Sequence, residues 1–472
     1  MLKRIAALIL TVIMTWLSFE CVCFDPFKEA SGMILEVTEK SKARFDGLGT
    51  EWDPMTLAAE NTGDSYLSEE NRVTEEDFRM ICDRVREMGL DKIRMFINPT
   101  WIEPVNDNDD PYTVKRDAFV WTESHIVSFF RILDLCEELG MKVNVTGWGG
   151  TPRNLPEYSE TFCVLFDEIV NVRGYTCVNE FTPFNEPCWG YKDGDGHVDM
   201  ESYYELCYVI DDMLREKNLR KKIMLNLSDC NYSDDSYDCI HRLKGLAEIY
   251  NTHSYDYLPV FSDTTMVDMS RILSKAAEQY GAIHTIGEFG PDTCIDSHHS
   301  SDTDTYSRGL LICRIVVNYM NGGSAGLNYW CLFDQMYYGG KMCVGLWRFK
   351  DEGWTARPMF YSYSLLTKYT EPGAEIYPIL LDESHLCAIA LKNPDKTWTY
   401  VVINSSKTDE EISFINRNFR NDIMDKYVYS EDSLPGDNHL IGSCGQVTVK
   451  DGLLKDTVKS NTMVVYHTAE DK

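Results

Sequence analysis

The chain has 472 residues, 44% of them hydrophobic and 25% charged. This composition excludes a disordered or fibrous chain and predicts two or three units, or one large unit with a small partner. With 45 basic and 75 acidic residues the formal net charge is −30, a field that repels nucleic acid and anionic membrane surfaces and tolerates neutral ligands such as uncharged glycans.

At the start, Lys3 and Arg4 precede an apolar run at 5–17 that is too short to span a bilayer. The small residues Cys21 and Cys23 follow, so residues 1–23 are expected to be a signal peptide, with an uncleaved anchor as the rival. No later stretch is long and apolar enough to cross a membrane, and a secreted or extracytoplasmic protein is expected. Of the 16 cysteines, Cys82, Cys136, Cys207, Cys313 and Cys331 lie in apolar periodic segments and read as core residues. Cys230 and Cys239 flank a short polar loop at a spacing compatible with pairing. No CxxC pair or Cys/His cluster has zinc spacing, so no metal and no cofactor are expected.

From about residue 45 to residue 370, strand-like and helix-like segments alternate. Residues 45–50 form a short glycine-rich strand. Thr74 can cap a helix, with Asp77 three residues on and Val73 and Phe78 as a hydrophobic staple. Phe78, Ile81, Cys82, Val85 and Met88 line its buried face, and Gly89 ends it. A strand at 92–97 follows. Ile126, Phe129, Phe130 and Leu133 mark the next helix, and 142–146 the next strand. Helices at 162–172, 203–214, 239–249, 266–280, 306–319 and 359–369 then alternate with strands at 178–184, 223–227, just before Asn251, 284–287 and 326–330. Eight strand–helix units predict a closed (β/α)8 barrel of the TIM type. A doubly wound open sheet lacks support, because no GxGxxG follows the first strand.

After Pro372 the pattern changes to short β-like runs at 376–379, 386–391, 398–403, 411–414, 426–429, 446–449 and 463–466. These predict a C-terminal antiparallel β-sandwich. A run at 33–37 is positioned to add a strand to it. The expected organisation is a signal peptide at 1–23, a strand-donating segment at 24–44, a catalytic barrel at 45–372 and the sandwich at 373–472.

Barrel active sites collect where strands end at their C-terminal side. Two glutamates end different strands there: Glu186 in Asn185-Glu186-Pro187 after the fourth, and Glu288 in Gly287-Glu288-Phe289 after the seventh. Glycoside hydrolysis needs such a pair, one to protonate the leaving oxygen and one to meet the oxocarbenium-like centre. Arg94 on the second strand, His253 and Tyr255 after the sixth, and Trp330 at the end of the eighth fall at other strand ends. Aromatic residues crowd the same loops: Trp52, Trp101, Trp148, Trp189, Trp347, Tyr337 and Tyr338. Sugar C–H faces stack on such rings, while the competing reading for each is ordinary packing. The acidic run at 106–110 lacks calcium-ligand spacing and reads as a solvated loop.

On Arg94, Asn185-Glu186-Pro187, His253-Ser254-Tyr255, Glu288 and Trp330, the sequence resembles clan A of the glycoside hydrolases, the retaining (β/α)8 enzymes, over residues 45–370. Its layout is similar to families 30, 39 or 5. The resemblance implies Glu186 as acid/base and Glu288 as nucleophile. It implies that Asn185 binds the sugar 2-hydroxyl, Tyr255 orients the nucleophile, Arg94 supports it and Trp330 floors the subsite, with His253 lining the pocket. The expected substrate is a neutral β-linked oligo- or polysaccharide. The alternatives are a catalytically silent glycan-binding barrel and a transglycosylase using the same glutamates. For the chemistry to run, Glu288 should be held ionised by Tyr255 and Arg94, and Glu186 should keep its proton near neutrality.

Overall fold

The computed structural model describes residues 25–54, 72–103, 116–152, 154–231, 233–255, 262–290, 302–337, 340–381, 385–436 and 438–469. The expected signal peptide and the acidic run at 106–110 lie outside these residues. Among the described residues no helix is long and apolar enough to cross a membrane.

A short strand, β1 (Met33–Glu36), precedes the barrel. Eight parallel strands then close into a ring: β2 (Gly47–Glu51), β3 (Lys92–Ile97), β4 (Lys142–Gly147), β5 (Val178–Thr182), β6 (Met224–Cys230), β7 (Ile249–Tyr255), β8 (Ile283–Gly290) and β9 (Gly326–Tyr329). The long helices between and after them are α1 (Glu75–Met88), α2 (Ser124–Leu139), α3 (Leu155–Asp167), α4 (Met200–Glu216), α5 (Ser233–Arg242), α6 (Asp263–Glu278), α7 (Tyr306–Gly322) and α8 (Pro358–Tyr369). Helix α1 begins as expected. Thr74 and Asp77 form a reciprocal capping box, and Gly89 ends the helix with φ 64.

Two expected boundaries move. The segment at 239–249 is not one helix: α5 ends at Arg242, the chain turns through Gly245 at φ 74, and Ile249 already belongs to β7. Glycine there accepts a left-handed conformation that breaks the helical run. Helix α3 starts at Leu155, seven residues before its expected start, and passes into a π-helical turn at Glu168–Arg173.

Strand β3 shows how the barrel interior is built. Ile93, Met95 and Ile97 point outward into the core shared with the helices. Lys92, Arg94 and Phe96 point inward at successive levels, roughly 6–7 Å apart. Lys92 pairs with Asp46 and with Glu180 at 2.7 Å, near the closed end. Arg94 occupies the middle level. Phe96 reaches the mouth, among Trp148 and Trp330. Ion pairs and amides therefore fill levels that branched aliphatic residues occupy in most such barrels.

After β9 come a hairpin of β10 (Gln335–Tyr337) and β11 (Gly340–Met342), then the sandwich strands β12 (Glu375–Ile379), β13 (Leu386–Lys392), β14 (Trp398–Asn404), β15 (Glu410–Ile415), β16 (Asp422–Tyr429), β17 (Gly445–Val449), β18 (Leu453–Val458) and β19 (Thr462–Thr468). One sheet has the order β12-β13-β14-β19-β16-β17, the other β1-β15-β18. Met33–Glu36 pairs in parallel with β15, Leu35 opposite Phe414. Strand β18 was not expected from the sequence.

The larger sheet is buried on both faces. Tyr377, Ala388, Ala390, Tyr400, Val402, Val464 and Tyr466 face the second sheet. The alternate residues Ile376, Cys387, Ile389, Leu391, Val401, Ile403, Met463 and Val465 join the core of the barrel. The period-2 pattern thus carries two hydrophobic stripes. Helix α7 lies against that sheet, which explains why it is buried nearly all round.

Candidate active site

Local backbone geometry puts the side chains in place. Glu186 adopts φ 50, and Pro187 starts a helical turn, Pro187–Gly190, whose Trp189 and Gly190 N–H groups donate to the Glu186 carbonyl at 3.0 and 2.7 Å. Proline suits the first helical position, where its missing N–H costs nothing, whereas left-handed Glu186 departs from the extended backbone usual before proline. Ser228 and Asp229 also have positive φ, 81 and 58, where the β6–β7 register slips. A second slip between Thr252 and His253 sets His253 opposite Glu288. Gly287 is required beside this cluster: a Cβ there would lie 2.3 Å from Asn251 Oδ1 and 3.2 Å from Asp229 Oδ1.

Arg94 is fully buried and ties the site together. Its Nη1 donates to Glu288 Oε1 at 2.6 Å and to Glu51 Oε2 at 3.0 Å; its Nη2 donates to Asn185 Oδ1 at 2.8 Å and to Asp229 Oδ2 at 3.0 Å. Tyr255 donates its hydroxyl to Glu288 Oε2. His253 Nδ1 lies 3.0 Å from Glu186 Oε1 and 3.4 Å from Glu288 Oε2, and its Nε2 lies 3.1 Å from Asp229 Oδ1. Asn231 Nδ2 donates to Glu186 Oε1 at 2.8 Å. One oxygen of Glu186, one of Glu288 and a His253 ring nitrogen all lie within 4.8 Å of one another.

Burial works to raise the Asp229 carboxyl, but the charges of Arg94 and His253 overcome it and hold Asp229 well below the usual carboxylate range. Burial opposes the imidazolium of His253, yet Glu288 and Asp229 push it well above its ordinary 6.5. Glu51 is raised well above 4.5, chiefly by burial, against the pull of Arg94. Glu288 departs from expectation. Burial raises it above 4.5, and the nearby charges of Glu186 and Asp229 add to that, so His253 and Arg94 compensate only in part. The convergent Glu186, His253 and Glu288 atoms are the described donors capable of holding a divalent cation. Arg94, bonded to Glu288, already supplies positive charge beside that point.

The aromatic residues divide. Trp330 is 5.6 Å from Phe96 between ring centroids, Trp148 stacks on Phe96 at 5.7 Å, and Trp101 lies 6.4 Å from Trp148. These form a row at the mouth. Trp189 stands 46% exposed, three residues beyond Glu186. Trp52 is a correction: it is fully buried against Phe78 and Phe333 and presents no ring face to a sugar. Trp347 is likewise buried, against Phe333 and Phe360. Tyr338 lies outside the described residues. Glu51, Asp229 and Asn231 escaped the sequence reading. The available signal for the two acids was a carboxylate in the last positions of an apolar strand, the same signal that marked Glu288.

No protein-family profile matches the sequence, and no curated protein matches it. The fold does match solved structures. A GH30 endoxylanase from Clostridium papyrosolvens superposes with TM-score 0.63 at 11% identity, covering 93% of this chain and 100% of that one. A conserved exported protein from Bacteroides fragilis gives 0.66 at 13% identity, covering 93% and 100%. An α-L-arabinofuranosidase from Thermotoga maritima gives 0.61 at 12% identity, covering 93% and 99%. The chain shares its barrel-plus-sandwich fold with these proteins, and the first and third are clan A glycoside hydrolases.

Proposed function

We propose that this protein is a retaining glycoside hydrolase that cleaves β-linkages in a neutral glycan by double displacement. The observation that carries the reading is the approach of Glu186 and Glu288 to within 4.8 Å at the barrel mouth. That approach suits direct attack, for which the carboxyl groups stand about 5–5.5 Å apart, better than inversion, which places a water between carboxyl groups about 6.5–9.5 Å apart. The fold shared with a GH30 endoxylanase and an arabinofuranosidase supports the same reaction class.

In this reading Glu288 attacks the anomeric carbon while Glu186 gives its proton to the leaving oxygen. The glycosyl–enzyme then forms on Glu288, and Glu186 takes a proton from the incoming water. Arg94 fixes the free oxygen of the nucleophile, and Tyr255 holds the other until attack. Asn185, held by Arg94, is aimed at the sugar hydroxyl next to the anomeric centre. Trp330 and Trp148 supply apolar faces to the sugar ring. We assign catalysis to residues 45–372, with 24–44 and 373–472 building the sandwich, and secretion through a signal at 1–23.

The test follows the anomeric configuration of the first product by proton NMR during hydrolysis of an aryl β-glycoside panel covering xylose, glucose, mannose and galactose. The β-anomer appearing first is expected. First appearance of the α-anomer, or no hydrolysis of any member, overturns the proposal.

A further inference from the structure

The two carboxyl oxygens of Glu186 are held unequally. Oε1 accepts from Asn231 Nδ2 at 2.8 Å and lies 3.0 Å from His253 Nδ1. Among the described residues no hydrogen bond reaches Oε2. The side chain is 25% exposed, so a substrate has access to the carboxyl. Asn231 follows directly on β6, two residues after the left-handed Asp229. Its other contacts fix how the carboxamide faces. The Asn231 backbone N–H donates to Cys188 Sγ at 3.3 Å, and that sulfur donates to Asn231 Oδ1 at 3.8 Å. Oδ1 is thereby turned towards the Pro187–Gly190 turn and Nδ2 towards Glu186. The same turn carries Cys188 and is preceded by Glu186, so the amide and the carboxyl are placed by one short stretch of chain.

We propose that Asn231 is a positioning residue for the acid/base, holding Glu186 Oε1 so that the transferable proton resides on Oε2. The inference rests on Glu186 being the acid/base. A proton on Oε1 would meet the Asn231 N–H head on, whereas Oε2 is open to it. In the first half of the reaction the Oε2–H bond breaks, the proton passes to the leaving oxygen, and the bonding electrons stay on the carboxylate. Negative charge then spreads onto Oε1. The Asn231 bond strengthens at that moment, because a charged acceptor makes a stronger hydrogen bond than a neutral one. It therefore stabilises the transition state more than the ground state. In the second half Oε2 takes a proton from the incoming water. Asn231 itself neither gains nor loses a proton.

The titratable groups facing Glu186 come from three strands and its own turn. They are His253 on β7, Glu288 on β8, Asp229 on β6, whose Oδ2 accepts the Glu186 N–H at 3.3 Å, and Cys188 two residues on. Asn231 is the uncharged member of this set. Replacing it with an apolar residue changes no charge, so any effect on proton transfer reads the hydrogen bond.

The experiment measures kcat/KM against pH for the full chain and for Asn231→Leu and Asn231→Asp, on an unactivated β-oligosaccharide and on a dinitrophenyl β-glycoside, with urea unfolding alongside. Asn231→Leu should lose about 10–150-fold on the oligosaccharide, the scale of a hydrogen bond to a charged group. The loss should be far smaller on the activated substrate, whose leaving group needs no proton. The basic limb should move up by about 1–2 pH units, because the carboxylate left behind is less stabilised. Asn231→Asp keeps the size and sets an acceptor against Oε1. It should move the limb in the same direction, and it serves where the leucine variant fails to fold. Equal losses on both substrates, or a basic limb at the parent's position, would overturn the Asn231 role. Glu186→Ala with added azide reads the acid/base role separately: the dinitrophenyl glycoside should give the β-glycosyl azide at a restored rate. Restoration beside Asn231 variants that behave as the parent would overturn the Asn231 role alone. No restoration would overturn the acid/base reading and the Asn231 role with it.

Discussion

Arg94→Lys separates charge from shape at the centre of the site. Arginine presents two nitrogens, one to Glu288 and Glu51, the other to Asn185 and Asp229. A single ammonium placed at the first position keeps the charge and the two glutamates but gives up the second pair. Each hydrogen bond to a charged group is worth about 1.5–3 kcal/mol, so the two together amount to about 3–6 kcal/mol. The Asp229 bond exists before substrate binds, and its share should appear as a lower urea midpoint. The Asn185 bond aims a group at the reacting sugar, and its share corresponds to about 10–150-fold in kcat/KM. The assay pairs urea unfolding with initial rates on an aryl β-glycoside. An Arg94→Lys enzyme within about twofold of the parent in kcat/KM, at an unchanged midpoint, would refute the idea that the fork rather than the charge organises the site.

Other expectations are as direct. Glu288→Gln should abolish turnover with the far-ultraviolet spectrum intact. Glu186→Ala should slow unactivated substrates by about 10²–10⁴-fold and dinitrophenyl glycosides much less; equal losses on both would contradict the acid/base role. Because Glu288 is raised above 4.5 and must lose its proton to attack, the acid limb of kcat/KM should lie above pH 4.5. A limb below that value would show that burial does not govern this carboxyl. Glu51 is also raised, so the folded state holds a proton that the unfolded chain releases above 4.5, and its contribution becomes increasingly destabilising from pH 4.5 up to its folded pKa. Glu51→Gln should therefore gain stability relative to the parent between pH 4 and pH 7 in urea titrations; a gap that shrinks would be the wrong sign. Trp148→Ala should raise KM with little change in stability, whereas Trp52→Ala should cost about 3–5 kcal/mol of stability as a core truncation.

Much of this architecture is legible in the sequence because strand–helix alternation repeats clearly enough to count. Glu186 stood out through its place between Asn185 and Pro187, and Glu288 through its place at the end of an apolar strand. Asp229 carries comparable weight yet went unseen. Its position depends on left-handed backbone at Ser228 and Asp229 and on a register slip, neither of which residue types announce. Trp52 and Trp148 look alike as residues near strand ends; only the packing of Phe78 and Phe333 over Trp52 separates them. The expectation of a depressed Glu288 pKa weighed its partners and left out desolvation, which is the larger effect. The turn into strand β18 is marked by Asp451-Gly452, both at positive φ, a signal present in the sequence but overlooked.

The position of β19 bears on how the molecule is made. Residues 462–468 lie between β14 and β16, in the middle of the sheet that also covers α7 and α8. During synthesis a ribosome must deliver residue 468 before that sheet has its central hydrogen bonds. Until then the apolar side of α8, which meets β16 and β19, stands in water, a condition that invites chaperone capture and makes late truncations far more damaging than their length suggests.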